Sequence, residues 1–307
     1  MDLTRAVETG GGPRALRSAF DGGRILRTAG AFDAMSAKLV ELSGFDAVWA
    51  GSFAISATHA LPDASILTMT EFLAAASRMA DACSIPVIAD CDTGFGGPSN
   101  VSHMVKKYEG AGIAAVCIED KVFPKQNSLL EGGTQELLPE KEFAAKLIAA
   151  RDAKSDPDFM VIARVEALIA GLGAGEAIRR ATAYEKAGAD AVLIHSKAGS
   201  PGEVFEFCDG WKGSVPVVAI PTSYPDVTLG QLEEHGVGMV IYANQSLRAA
   251  HRAMAEHLGQ LASAESLSGA GTPISPMEDI FRLQEMYEIK KQEKDIEANL
   301  KKLGYVN

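Results

Sequence analysis

The sequence predicts a (β/α)8 barrel of the TIM type followed by a C-terminal helical extension. Short apolar runs rich in Val, Ile and Ala alternate eight times with longer stretches of helical spacing, the pattern of a parallel sheet. One grammar recurs in EKAGADAVLIHS, EGAGIAAVCIED and ELSGFDAVWAGS: a helix stopped at glycine, a tight turn, then a strand. Acid, base and amide side chains collect just past the strands, at the mouth where barrel enzymes do chemistry. Periodicity does not report closure, so an open doubly wound sheet stays as the alternative.

Taken in order, strands are expected at 25–30, 47–51, 86–90, 115–119, 160–164, 191–195, 216–220 and 238–242. Their near-continuous apolar character suits a sheet covered on both faces. Helical spacing fills 35–42, 70–82, 101–111, 140–153, 175–187, 203–211, 228–234 and 245–261. The barrel domain is therefore placed at 1–262, with a lid loop over the mouth at about 120–136. Near Leu261 the composition changes, and LASAESLSGAGTPISP reads as a linker. The linker and extension occupy 263–307. Within them, 277–303 reads as one charged helical segment with an apolar stripe through Ile280, Leu283, Met286, Tyr287 and Ile289. Such a stripe needs cover from a neighbouring subunit or from the chain's own barrel.

Composition narrows the function. At 307 residues and 47% hydrophobic, the chain can bury a large core. A formal net charge of -11 argues against non-specific nucleic-acid or anionic-membrane binding, so an anionic ligand needs a local cationic cluster or a metal. Cys83, Cys91, Cys117 and Cys208 lack metal-binding spacing and read as free thiols of a reducing compartment. The stretch MDLTRAVETGGGPR lacks an apolar signal-peptide core, and no run approaches the roughly 18 apolar residues of a membrane span. A cytoplasmic protein acting on a small molecule is expected.

The strand ends supply the candidate site. Strand two leads into Trp49, Gly51, Ser52 and Phe53, and its loop continues to Asp63. Strand three ends in Asp90, Cys91 and Asp92; strand four ends in Glu119 and is followed by EDKVFPKQNS, with Lys125, Asn127 and Ser128. Strand five gives Arg164 and Glu166, and strand six gives His195. Asp90, Asp92, Glu119 and Asp63 are oxygen donors with no histidine or cysteine pair at ligand spacing. That set suits Mg2+, with Mn2+ the alternative. Arg164 could grip carboxylate or phosphoryl oxygens, or simply pair with Glu166. His195 could be a neutral donor or a cation facing an oxyanion. Together these groups suit a small dianion or trianion with a carboxylate beside a carbonyl or enol oxygen.

These motifs resemble the phosphoenolpyruvate mutase/isocitrate lyase superfamily, and within it the phosphoenolpyruvate mutase branch. The matching strings are GFDAVW, LPDAS, DCDTGFG, IEDKVFPKQNS, DPDFMVIARVEALIAG, AYEKAGADAVLIHSK, IPTSYP, MVIYANQSLRAA and IFRLQ. The cysteine motif KKCGH of the isocitrate lyase branch does not occur. The resemblance implies interconversion of phosphoenolpyruvate and phosphonopyruvate for phosphonate biosynthesis. Phosphonopyruvate hydrolysis and carbon–carbon lyase or oxaloacetate-type chemistry are the alternatives. By the same resemblance Asp90 is the direct Mg2+ ligand, while Asp92, Glu119 and Asp63 hold metal-bound water. Asp63 is also the candidate nucleophile, against a metaphosphate-like transfer. Arg164, His195 and Asn127 surround the phosphoryl group, Lys125 is the lid lysine, and Trp49, Ser52, Phe53 and Ser128 contact substrate. Mutases have Asn where Asn127 stands, and the related hydrolases have Thr. One departure is that the family's usual Trp-x-Ser-Gly becomes Trp49-Ala50-Gly51-Ser52. The family also implies exchange of the C-terminal helix between subunits in a homotetramer built as a dimer of dimers.

Overall fold

The computed structural model describes residues 11–305 except 134, 270 and 272. Its described residues form two compact units, one ending at Ala249 and one beginning at Ala250. In the first unit, α1 (Pro13–Asp21) precedes β1 (Leu26–Ala31). Then follow α2 (Ala34–Leu42), β2 (Ala47–Ala50), α3 (Ser52–Thr58), α4 (Met69–Ala82), β3 (Val87–Asp90), α5 (Pro98–Gly110) and β4 (Ala115–Glu119). The second half adds α6 (Glu140–Ala153), β5 (Met160–Val165), α7 (Gly173–Ala187), β6 (Ala191–Ile194), α8 (Gly202–Gly210), β7 (Val217–Ala219), α9 (Leu229–Glu234) and β8 (Val237–Tyr242).

The strands pair in parallel in sequence order, and β1 closes on β8 from Leu26↔Met239 to Ala29↔Tyr242. Closure settles the alternative in favour of the barrel. Gly188 ends α7 at φ 109°, the left-handed conformation expected from its place in EKAGAD. Thr68 and Thr228 cap α4 and α9, each with a reciprocal side-chain bond three residues on, from Glu71 and Gln231. Two short helices, α1 and α3, fall outside the sequence reading, because so few residues show little period.

Side-chain alternation explains how the site is placed. Ala115, Cys117, Met160, Ile162, Ala191, Leu193 and Ile88 form the barrel's inner cluster, while Val116, Ile118, Val161 and Ala163 pack towards the helices. Two residues further along each inward phase come Glu119 on β4, Arg164 on β5, His195 after β6 and Asp90 on β3. One more step gives Lys121, Glu166 and Asp92.

The loop after β4 is tied at its feet. Lys121 and Leu137 form an antiparallel bridge, Val122 N donates to Glu136 O at 2.9 Å, and Leu138 N donates to Asp120 O at 2.8 Å. Beneath it, Arg180 Nη1 donates to Asp120 Oδ2 and to Leu138 O, each at 3.0 Å, and Tyr184 Oη donates to the same Asp120 oxygen at 2.7 Å. Burial pushes the Asp120 carboxyl up, and the Glu166 N–H, the Tyr184 hydroxyl and Arg180 oppose that shift. Arg180→Met therefore leaves a buried carboxylate without its cation, an expected loss of about 3–5 kcal/mol. Thermal unfolding should fall by several degrees, and an unchanged midpoint would remove Arg180 from this role.

From Ala250 onward the chain contains the rest of α10 (Gln245–Ser263), a 3-10 turn at Leu267–Gly269, α11 (Met277–Leu283) and α12 (Met286–Lys302). The single helix expected over 277–303 is two: Glu285 at φ 55° breaks it. Tyr287 Oη donates to Glu278 Oε2 at 2.7 Å across the break. Among the described residues no helix is long and apolar enough to cross a membrane.

Candidate active site

The barrel mouth encloses a cavity of about 160 Å3. It is lined by Trp49, Ser52, Phe53, Asp63, Asp90, Glu119, Lys125, Asn127, Ser128, Arg164 and His195, eleven of the twelve residues expected from sequence. Asp92 is the exception. It has a left-handed backbone (φ 49°), and its N–H donates to Asp90 Oδ1 at 3.2 Å. Its own carboxylate is turned to Lys125.

Lys125 ties the loop after β4 to the acids of the mouth. Its ammonium lies 2.8 Å from Asp63 Oδ1 and 2.6 Å from Asp92 Oδ1, and donates to Ser52 Oγ at 2.8 Å. The ammonium thus makes two ion pairs and one hydrogen bond. Burial opposes the charge, but Asp92, Asp63, Asp90 and Glu119 outweigh it and hold the Lys125 pKa well above the ordinary value. Asn127 Nδ2 donates to Asp63 Oδ2 at 2.8 Å, so the loop after β4 contacts both oxygens of that carboxylate.

The swapped Gly51-Ser52 pair has a steric reason. A Cβ at Gly51 would lie 2.9 Å from Trp49 Nε1, so the indole leaves room only for glycine. The serine one position later donates from Oγ to Asp90 Oδ2 at 2.9 Å, and its N–H points to the same oxygen at 3.4 Å. Ser52 thereby orients Asp90.

A second cluster centres on Glu166, which is fully buried. Arg164 Nε donates to its Oε1 at 2.5 Å, Ser128 Oγ donates to Oε2 at 2.7 Å, and Lys121 Nζ lies 3.1 Å from Oε2. Lys121 and Arg164 Nη2 also donate to Ser128 Oγ, at 2.6 and 3.1 Å. Burial works against ionising Glu166, yet Arg164, then Lys121, hold its pKa well below the usual carboxylate range. Burial, then Arg164, push His195 down and favour the neutral ring.

Sequence reasoning left Lys121, Thr222 and Asn244 out of the lining, although they face the same cavity, and left Glu166 only as a partner for Arg164. Extending the inward phase of β4 and β5 by two residues finds Lys121 and Glu166. Thr222 and Asn244 come from loops after β7 and β8, where neutral side chains carry no charge signal.

Among the described residues no three acidic, histidine or cysteine side chains close on one point as a finished metal site. The donor chemistry nonetheless fits a hard cation. Glu119 Oε1 is buried without a hydrogen-bond partner, and burial pushes the Glu119 carboxyl up to about 7 despite nearby Arg164, Lys121 and Lys125. With every acid ionised, as metal ligation requires, Asp63, Asp90, Asp92, Glu119 and Glu166 outnumber Lys121, Lys125 and Arg164 by two, an imbalance that one divalent ion cancels.

Residues 16–262 match the model of the phosphoenolpyruvate phosphomutase family. The chain is 45% identical over 272 residues to the phosphonopyruvate hydrolase of Variovorax sp. (strain Pal2), covering 88% of this chain and 94% of that one. It is 43% identical over 264 residues to the phosphoenolpyruvate phosphomutase of Tetrahymena pyriformis, covering 86% and 88%. The crystal structure of phosphoenolpyruvate phosphomutase from Streptomyces platensis subsp. rosaceus superposes with a TM-score of 0.90 at 48% identity, over 92% of this chain and 99% of that one. A phosphonopyruvate hydrolase in complex with oxalate and Mg2+ superposes with a TM-score of 0.86 at 43% identity, over 92% and 98%. A barrel whose mouth gathers these acids and bases, matched along most of its length by such relatives, belongs to the phosphoenolpyruvate phosphomutase family of enzymes.

Proposed function

We propose that the chain is a Mg2+-dependent phosphoenolpyruvate mutase of the cytoplasm. It would interconvert phosphoenolpyruvate and phosphonopyruvate, breaking the bond from phosphorus to the enol oxygen as the bond to C3 forms. The observation that carries this reading is Asn127. It lies in the cavity wall with its amide donated to Asp63, and an amide there can hold phosphoryl oxygens without activating water. Asp90 and Glu119 would hold the ion, with Asp63 and Asp92 able to hold its water once Lys125 yields them. Bound there, Mg2+ would supply positive charge to the carboxylate and enolate oxygens.

The chain's own groups do the rest. Arg164 and His195 face the phosphoryl group, and Lys125 follows its charge as it moves. The lid keeps water from the enolate and from a metaphosphate-like species. The 45% identity to a phosphonopyruvate hydrolase supports a second reading, release of phosphate and pyruvate.

Phosphorus NMR of phosphonopyruvate with Mg2+ separates the two. Phosphoenolpyruvate without free phosphate is expected from the wild type, whereas stoichiometric phosphate means hydrolysis. Asn127→Thr should divert part of the product to phosphate, and an unchanged product ratio would remove Asn127 as the determinant. We also propose a homotetramer, a dimer of dimers with exchanged C-terminal helices. Met286, Tyr287, Ile289 and Ile296 on α12 are exposed apolar residues that such exchange would cover. Light scattering should return four chains, and a monomer contradicts it.

A further inference from the structure

His195 lies among groups that ask for opposite tautomers. Its Nδ1 is 2.9 Å from Arg164 Nη2, which can only donate, and 3.2 Å from Glu166 Oε1, which can only accept while ionised. A proton on Nδ1 would set two donors against each other at 2.9 Å. The Glu166 oxygen has only a weak claim on such a proton, because it already accepts from Arg164 Nε at 2.5 Å, and 3.2 Å is long for a charge-assisted bond. Glu166 thus anchors one edge of the guanidinium, and the other edge is aimed at the imidazole.

We propose that Arg164, held by Glu166, fixes His195 as a neutral imidazole with its proton on Nε2, so that the ring offers the cavity a hydrogen-bond donor and not a base. Glu166 is then a positioning residue, acting through Arg164 and His195. The arrangement is built to last through a catalytic cycle: Glu166, Arg164 and His195 are all buried, and Lys121 and Ser128 complete the Glu166 contacts from the lid side. A fixed N–H suits a developing negative charge on a phosphoryl or enolate oxygen, since no proton need move and no ring need turn. This catalytic half rests on the function proposed above; the tautomer itself does not.

Nitrogen NMR of the 15N-histidine-labelled protein at neutral pH tests the tautomer directly, with His195→Gln identifying the His195 signals among six histidines. A neutral ring protonated on Nε2 is expected, and an Nδ1-protonated ring or an imidazolium overturns the proposal. In turnover, His195→Gln should retain at least about tenfold more kcat than His195→Ala, because an amide N–H replaces a donor but not a base; equal losses overturn it. Glu166→Gln should lower kcat by about 100-fold with a smaller change in KM, and blur the single tautomer into a mixture. Wild-type kcat and spectrum in that variant would overturn the positioning role. Should Glu166→Gln fail to fold, the wild-type spectrum still decides. An Nε2-protonated ring in a protein that leaves phosphonopyruvate untouched would refute the proposed function and leave the tautomer standing.

Discussion

Asp90→Ala is expected to abolish metal-dependent turnover, lowering kcat by at least about 1,000-fold. The estimate follows from the loss of an anchored charge in a dry site, where one misplaced stabilising group alone costs about 100- to 1,000-fold. Asp90 stands on the inward phase of β3, and the Ser52 hydroxyl and the Asp92 N–H both donate to it. Its removal takes away a carboxylate proposed above to hold Mg2+. It also leaves a buried N–H unpaired, at about 1–3 kcal/mol of stability. Calorimetric titration with Mg2+ should show weakened binding, and the variant should still fold. Unchanged turnover with unchanged Mg2+ affinity would refute the metal assignment.

Lys125→Met should produce the second large effect, with two separable parts. Methionine keeps much of the lysine's length, but Asp63 and Asp92 then face each other without the ammonium now 2.8 and 2.6 Å away. Breaking buried pairs in this way destabilises by about 3–5 kcal/mol. A divalent ion can replace that charge, so added Mg2+ should raise the melting temperature of the variant more than that of the wild type. Turnover should not recover with it, because on the proposed mechanism the cavity no longer offers a lysine cation to the transferring group; a loss of about 100- to 1,000-fold in kcat is expected at saturating Mg2+. Wild-type turnover under those conditions would leave Lys125 with a structural role only. Equal thermal shifts would show that the ion and the ammonium do not share these carboxylates.

Much of the fold and most of the site could be read from the chain because both follow local periods. The αβ units announce themselves through glycine and apolar runs, and Gly188 adopts the left-handed turn its context demands. Asp90, Glu119, Arg164 and His195 are found by asking which polar residue ends each strand. Glu285 was different: nothing in MEDIFRLQEMYEIKK marks a break, and the helix divides there through a backbone conformation that glutamate rarely takes. Thr222 and Asn244 were missed for another reason. They are ordinary neutral residues whose importance comes only from facing the same cavity as the charged ones.

EDKVFPKQNS contributes to three parts of the site. Sequence alone establishes the barrel pattern, the family resemblance and the set of groups available to the reaction, because strand phase and residue chemistry are local properties. Which partner each group takes is a matter of distance. Only the tertiary structure shows Asp92 turned to Lys125, Ser52 rather than Gly51 supporting Asp90, and Glu166 joining Lys121, Ser128 and His195 besides its near neighbour Arg164. These contacts join residues from different strands and loops, so no local sequence window contains the competition between charge, burial and space that decides them.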